Sequence, residues 1–375
     1  MSHDFANIEV LRQGDAQGNG MVLKLTTGQG LTIQAIAVPR EGFSYTGPTW
    51  AYLFENEGLN LIDSGVTGSF SKLAEGLQYT GHRVEDIQRV IITHGHEDHD
   101  GAVAQLVAET GAEVWAHDLY AHLQAYDPRD IERRATSPIQ QEMHRVAQAN
   151  DVVFRSSSER ESYLQRRKEL KIDHRIQAGE SLGNLTFLHA PGHSPDEICV
   201  TLDGVVFTGD HVLPEITPHP TTKTRFAPEV KQHLPEEYQN EDGWYGLETY
   251  LRSLRRVEEL GPNVAVLPAH RLFNRSKFNF LSVARAGDLI QHHAQRLRSI
   301  LASLRLERLN LEQLTREIFE RRKLEGGNLF AALSEMVAHI ELLQDAGDLE
   351  ISDDGQLKPT GAENYQQLID GLTTY

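Results

Sequence analysis

The sequence predicts an α/β sandwich. Three observations carry that expectation: strand-like alternation over 22–38 and 50–65, a strand–helix–strand order over 84–117, and a second group of apolar strand signals between 185 and 270. In "VLKLTTGQGLTIQAIAV" (22–38), apolar and polar positions alternate about a Gly-containing turn. "WAYLFENEGLNLIDSG" (50–65) reads as a hairpin turning at Glu57-Gly58 and ending in Asp63. "VEDIQRVIIT" (84–93) is a short helical turn that leads into a β-branched strand. "GAVAQLVAET" (101–110) has helical apolar spacing, Gly111 ends it, and "AEVWAH" (112–117) is the next strand.

Residues 119–178 break this rhythm. They are charged, rich in Arg and Glu and helical in pattern, with Pro128 and Pro138 as breakers, and they read as a helical insert. Strands resume at "LTFLHA" (185–190), "EICVTL" (197–202) and "VVFTGD" (205–210), with an Asp203-Gly204 turn between the last two. A Pro-rich loop (214–242) precedes the amphipathic helix "LETYLRSLRRVEEL" (247–260), which Gly261-Pro262 stops, and "VAVLPAH" (264–270) is a strand. Beyond about 285 come helical runs at 285–305, 311–323 and 328–347, then a hairpin over 349–360 turning at Asp354-Gly355. Helices followed by a hairpin predict a small winged-helix-like domain over 285–375, after a catalytic domain over 1–284.

The chain has 375 residues, long enough for one large domain and an appendage. A formal net charge of −18 argues against a broad surface for nucleic acid or anionic membrane, and leaves a small-molecule substrate as the expected partner. Cys199 is the only cysteine, so neither an intramolecular disulfide nor a cysteine-based zinc site can be built. The N-terminus lacks the basic start and apolar run of a signal peptide, and no stretch is apolar enough to span a bilayer, so a cytoplasmic protein is expected.

The chemistry is concentrated in "IITHGHEDHDGA" (91–102). His94 and His96 are two apart, so in an extended segment both project the same way, and Asp98 and His99 follow where the chain turns into a helix. Imidazole and carboxylate together suit Zn²⁺, Fe²⁺ or Mn²⁺. Further donors stand directly after apolar strands: His193 in "HAPGHSPDE", Asp210 in "FTGD" and His270 in "LPAH". A lone histidine is ordinarily a hydrogen-bonded structural residue, but three donors at three strand ends on one edge of a layered fold can share one site. No G-x-S-x-G, P-loop or G-x-G-x-x-G occurs, so serine-hydrolase, NTPase and Rossmann chemistry lack support.

With "NLIDSG" upstream, these motifs resemble those of the metallo-β-lactamase superfamily over about residues 20–280. The resemblance implies an αββα sandwich holding two divalent ions, zinc first, with iron or manganese as alternatives. It also implies that His94, His96 and His193 bind one ion, that Asp98, His99 and His270 bind the second, and that Asp210 bridges them. Asp63 would hydrogen-bond a ligand loop. His96 stands where flavodiiron oxidoreductases of this fold carry Glu, which disfavours redox chemistry. Antibiotic-hydrolysing branches usually lack the bridging Asp. Glyoxalase II-like thioesterases, lactonases and ribonucleases remain. In such sites two cations about 3.5–4 Å apart hold a bridging hydroxide that attacks a carbonyl or phosphoryl centre. Asp98 would orient it, and no Ser or Cys nucleophile is needed.

The insert and the loop after Asp210 should overhang the metals, and His219, between two prolines, is placed to donate to a substrate oxygen or simply to pack the loop. Arg271, Arg275 and Lys277 follow His270 and are candidate contacts for a phosphate or carboxylate, against the reading of a solvated basic turn. The C-terminal part resembles the extension of LACTB-type members, some of which cleave single-stranded RNA. Across 285–375, however, 10 Lys+Arg face 15 Asp+Glu, a balance that disfavours a phosphate backbone and favours packing or homodimerisation. A thioesterase is therefore expected first, a lactonase or small-ester hydrolase next, an RNA endonuclease third, and a non-enzymatic metal-binding module last.

Overall fold

The computed structural model of the chain describes residues 5–42, 44–132, 137–152, 157–319, 324, 327–352 and 355–372. Two β-sheets lie face to face. The first runs in chain order through β1 (Phe5–Arg12), β2 (Val22–Thr27), β3 (Thr32–Val38), β4 (Thr49–Glu55), β5 (Leu59–Ile62), β6 (Arg89–Ile91), β7 (Glu113–His117) and β8 (His174–Ile176). Neighbours up to β5 are antiparallel, and β5 to β8 are parallel. The second sheet is built from β9 (Ser181–Leu182), β10 (Leu185–His189), β11 (Ile198–Leu202), β12 (Val205–Gly209) and β13 (Ala265–Pro268). After a small hairpin of β14 (Phe273–Asn274) and β15 (Lys277–Phe278), the strand β16 (Leu281–Ser282) returns to pair with β13. Only β12 and β13 run parallel within that sheet.

Strand alternation decides which side chains fill the middle. In β4, Trp50, Tyr52 and Phe54 point into the space between the sheets, while Ala51 and Leu53 point outward. From the facing sheet Phe187, Val200, Phe207 and Leu267 complete that inner core, with Phe207 stacked on Phe54 at 5.3 Å between ring centroids. The outer face of the first sheet is covered by α1 (Phe70–Leu77), which follows β5, and, beyond the short α2 (Glu97–Asp100), by α3 (Val103–Thr110). Gly111, at φ 71°, ends α3 in the left-handed conformation that its sequence position foretells.

The segment read as a helical insert carries α4 (Asp118–Leu123), α5 (Pro128–Glu132), α6 (Pro138–Ala149) and α7 (Ser158–Glu169). It differs from the expectation at its end, where His174–Ile176 is β8 and completes the first sheet. Only Ile176 in this strand is fully buried, so its apolar pattern is one residue long and invisible in a polar run. The Pro-rich loop contains α8 (Pro228–Lys231) and leads to α9 (Leu247–Glu258). Then follow α10 (Ala284–Leu306), α11 (Leu311–Ile318), α12 (Asn328–Asp345), a hairpin of β17 (Leu349–Ile351) and β18 (Leu357–Pro359), and α13 (Tyr365–Asp370). Of the expected C-terminal signals, residues 320–323 and the turn residue Asp354 lie outside the described residues.

The outer face of the second sheet and the C-terminal helices share one apolar cluster. Cys199, Val206 and Val266 of the sheet pack with Tyr250, Leu254 and Val257 of α9, Leu289 and Leu297 of α10, Leu333, Met336 and Val337 of α12, and Met143 of α6. The order across the molecule is therefore helix, sheet, sheet, helix: an αββα sandwich with the C-terminal helices built onto its second helical layer.

Candidate metal centre

The site lies where β5 and β6 of one sheet and β12 and β13 of the other end at the same edge. Main-chain bonds lace the sheets together there: Ile198 N–H donates to Thr93 O at 2.9 Å and Trp50 N–H to Ala269 O at 2.7 Å. After β6 the chain bends at Thr93 and Gly95, bringing the His94 and His96 rings to 4.5 Å between centroids, and turns into α2 after His96, whose φ and ψ are −89° and 146°. His94 and His96 therefore emerge on one side, and Asp98 and His99 follow on the first turn. Gly209 sits at φ +51°, where a Cβ would stand 2.8 Å from Thr93 Oγ1, so the approach of β12 to the His94 loop requires glycine.

The seven side chains that the resemblance implies as ligands are brought together. His94, His96 and His193 form one group of donors, Asp98, His99 and His270 another, and Asp210 joins His94 and His99 in a third; within each group the donor atoms lie within 4.8 Å of one another. Asp210 stands between the sides, with Oδ2 3.6 Å from His193 Nε2 and Oδ1 3.4 Å from His270 Nε2 and 3.6 Å from His99 Nε2. Asp98 Oδ2 is 3.4 Å from His270 Nε2.

The outer partners decide which ring nitrogen faces inward. His99 Nδ1 is 2.8 Å from Asp63 Oδ2, His193 Nδ1 2.9 Å from the His219 carbonyl, and His270 Nδ1 3.0 Å from the Pro48 carbonyl. A carboxylate and two carbonyls only accept, so each Nδ1 carries the hydrogen and each Nε2 presents a lone pair to the centre. Asp63 is itself held at φ 59° and receives Thr93 N–H at 2.9 Å and the Thr93 hydroxyl at 2.8 Å. Strain of this kind persists only where surroundings enforce it.

These residues fit divalent cations. His99 Nε2, His270 Nε2 and Asp210 Oδ1 are buried with no hydrogen-bond partner, and all three face the centre. His96 Nδ1 is 2.9 Å from His94 Nε2 and 3.2 Å from His193 Nε2, a convergence of three imidazole nitrogens that a cation relieves. Burial, reinforced by the neighbouring imidazoles, holds His94 well below the usual histidine range and His193 at about 4, so both are neutral donors at pH 7. Burial also opposes the charge of His99, yet the Asp63 and Asp210 carboxylates outweigh it and raise the group. A field that favours a proton there also favours a metal ion. Asp98 and Asp210 remain ionised because the surrounding imidazoles outweigh the cost of burial.

Several supporting residues were assigned no role from the sequence. Glu197 accepts Asp210 N–H at 2.9 Å and lies 3.7 Å from His94 Nδ1. Asp100, buried, accepts Tyr120 OH at 2.9 Å, Tyr163 OH at 2.7 Å and Arg167 Nε at 3.0 Å. Because Tyr163 and Arg167 belong to α7, the insert is bolted to the turn that bears Asp98 and His99. Gly95 completes this joint: its N–H donates to Asp196 at 2.9 Å, and a Cβ there would meet the Arg167 guanidinium at 2.4 Å. The acids of "DHDG" and "HSPDE" were visible as adjacent to ligands, whereas Arg167 gave no signal.

Two cavities adjoin the metal side chains. One, of about 260 Å³, has His96, His193, His219, Met143 and Phe330 in its walls. The other, of about 280 Å³, is lined by Asp98, Glu97, Arg40, Arg129 and Arg160. His219 thus reaches the centre twice, by its carbonyl on His193 and by its presence in the first cavity. Arg271 is buried, with its guanidinium 3.6 Å from Glu215 and 4.7 Å from the Tyr45 ring centroid. Arg275 and Lys277 are exposed on the β14–β15 hairpin, and neither contributes to the walls of these two cavities.

Comparison with known proteins agrees with this geometry. The family model described as the metallo-beta-lactamase superfamily matches residues 44–270. A probable metallo-hydrolase of Bacillus subtilis, YqjP, is 23% identical over 315 residues, covering 80% of this chain and 88% of its own. Among solved structures, a beta-lactamase domain protein from Burkholderia ambifaria superposes with a TM-score of 0.65 at 23% identity, covering 95% of this chain and 98% of that one. A metallo-beta-lactamase family protein from Thermus thermophilus gives 0.61 at 21% identity, covering 87% and 98%.

Proposed function

Since the chain belongs to the metallo-β-lactamase superfamily, we propose that it is a dinuclear metal-dependent hydrolase acting on a carbonyl ester, with a thioester as the first substrate class. The observation that carries this reading is Asp210. Its carboxylate stands between the two groups of three donors, and its Oδ1 is buried without a partner. A structural zinc site is normally closed, with four ligands on one ion; seven donors disposed for two ions leave positions for water and substrate. Two divalent ions bound there, zinc by preference for this donor set, would supply an acidified water at neutral pH and a Lewis acid for the carbonyl oxygen.

The chain's own groups do the rest. His94 and His193 are neutral nitrogen donors, and the outer hydrogen bonds of His99, His193 and His270 fix the aim of those rings. Asp98 lines the second cavity, and its carboxylate would orient the attacking water. His219, which shares a cavity wall with His96, would donate to a substrate oxygen. Contact of an anionic substrate group with Arg271, Arg275 and Lys277 belongs to the same proposal; Arg40, Arg129 and Arg160 line the same cavity as His96 and Asp98. A lactonase or small-ester hydrolase is the alternative that the same centre serves.

The test is a panel of thioesters, lactones, nitrocefin and short RNAs, run with the metal-loaded protein and again after chelation, with metal content measured in parallel. Chelator-sensitive thioester hydrolysis with about two ions per chain is the expected result. A fully loaded protein with one ion, or hydrolysis unaffected by chelation, would overturn the dinuclear reading. RNA cleavage without ester hydrolysis would replace the substrate class.

A further inference from the structure

We propose that the cavity of about 260 Å³ beside His96 and His193 is a pocket for the apolar acyl chain of the substrate, and that α12 of the C-terminal segment sets its length. The proposal rests on the ester-hydrolase reading above and specifies its substrate.

Three separate parts of the chain build this cavity. The insert contributes Met143 from α6, the loop after Asp210 contributes Thr222 and Thr224, and α12 contributes Phe330, Ala331 and Ser334. Met143, Thr222 and Thr224 are buried, Phe330 is half-buried and Ala331 is exposed. Apart from its metal-side histidines, His219 and Arg129, the wall offers methyl, thioether, phenyl and hydroxyl groups, with no carboxylate among the described residues that line it. Such a surface holds an apolar group and has little to offer a phosphate chain.

The cavity on the other side of His96 is of the opposite kind. Its wall carries Arg40, Arg129 and Arg160 with Glu97 and Asp98. Arg160 is also engaged by Asp127 and lies 3.5 Å from Glu97. His96 and Arg129 belong to both walls, so the metal centre stands at the boundary between an apolar and a charged compartment. An acyl ester with a polar leaving group fits that division, with the acyl chain toward α12 and the leaving group toward the arginines. Hydrolysis there breaks the bond between the carbonyl carbon and the heteroatom; water supplies a hydroxyl to the acyl carbon and a proton to the leaving heteroatom.

The parts of the pocket are pinned to one another by a buried carboxylate. Glu341 of α12 accepts the Gln140 amide of α6 at 2.6 Å and Lys223 N–H of the loop at 2.8 Å, and the Gln140 amide also donates to the Lys223 carbonyl at 2.6 Å. One side chain from the C-terminal segment thereby fixes the spacing of all three walls. The segment's position on the second helical layer thus has a consequence for specificity that its sequence does not announce.

The experiment compares acetyl, butanoyl, hexanoyl, octanoyl and palmitoyl thioesters of one polar thiol, using metal-loaded wild type and Ala331→Trp. In the wild type kcat/KM should rise about fourfold per methylene as the chain fills the pocket, then level off or fall at palmitoyl. In Ala331→Trp the rise should stop at a shorter chain, with octanoyl losing at least about tenfold relative to acetyl. Metal content of the variant reports retention of the fold; should it fall, Ser334→Leu supplies a smaller intrusion into the same wall. Activity independent of acyl length, or equal losses for acetyl and octanoyl, would overturn the pocket while leaving the ester-hydrolase reading intact. Calorimetric binding of octanoate against acetate separates the opposite failure. If no thioester is hydrolysed but octanoate binds more tightly than acetate and Ala331→Trp removes that difference, the pocket stands and the reaction class falls. Equal binding of the two acids would overturn the pocket on either count.

Discussion

Two clusters among the described residues gather histidines and carboxylates at metal-binding distances, and they differ in how the carboxylates are engaged. One is the centre between the sheet edges. The other lies between α10 and α12, where His293, Glu335 and His339 bring their donor atoms within 4.8 Å. In the first, the outer nitrogens of His99, His193 and His270 are each taken by an oxygen of the surrounding fold, and the inner nitrogens of His99 and His270 have no partner. In the second, His293 Nδ1 and His339 Nε2 hydrogen-bond to each other at 3.0 Å, and the Glu335 carboxylate is paired with Arg296. Burial and the nearby cations hold His293 well below the usual histidine range and His339 at about 3. There the positive charge is already supplied by an arginine. Donor spacing alone therefore does not make a metal site; in the second cluster the carboxylate is already paired with Arg296.

That comparison is most open to attack at Asp210. Asp210→Ala should remove most of one ion per chain by elemental analysis and lower hydrolysis by more than about 100-fold, beyond the range for loss of an outer partner. Retention of both ions and of turnover would mean that the carboxylate bridges nothing. Asp63→Ala removes no donor but frees the far nitrogen of His99, and metal affinity or activity should fall about 10–100-fold. An unaltered affinity would show that the outer shell matters less than the contrast requires.

The α10–α12 cluster gives the converse test. His339→Leu should leave metal content per chain unchanged while lowering stability by roughly 1–3 kcal/mol in denaturant unfolding, since His293 loses its partner. Loss of one ion in that variant would break the distinction between the clusters. The smallest effect concerns Glu341. Burial lifts its carboxyl from an ordinary 4.5 to about 7, against the lowering by Lys223 N–H and the Gln140 amide. A raised folded-state value means that the native protein holds this proton while the unfolded chain releases it. Its stabilising contribution is therefore full below about 4.5 and is lost as pH rises to about 7. Glu341→Gln should flatten the dependence of stability on pH across that window, and identical profiles for the two proteins would refute the assignment.

The legible and the illegible parts of the site divide along chain distance. His94, His96, Asp98 and His99 share a few consecutive positions, so their common purpose can be read directly. His193, Asp210 and His270 could be read because each follows an apolar strand, and strand ends in a layered fold share an edge. The Asp100–Arg167 pair spans 67 positions and the Gln140–Glu341 bond 201, and Arg167, Gln140 and Glu341 stand in no distinctive local pattern. β1 and β8 were missed for a related reason: both lie at the two ends of the first sheet, where one side has no neighbouring strand and the apolar signal is weak.

What the sequence determined by itself was local: strand and helix periodicity, turns at Glu57-Gly58 and Asp203-Gly204, the donor set, and through these the αββα frame. Those features depend on side-chain type and spacing along a few residues, which the backbone converts into direction. Only the tertiary structure decided which nitrogen of each histidine faces inward, why the α10–α12 histidines face an arginine-bound carboxylate, and how α6, the loop after Asp210 and α12 enclose one cavity. Each of these is set by a partner far away in the chain, and burial makes that partner's charge or carbonyl count for far more than any neighbour in sequence.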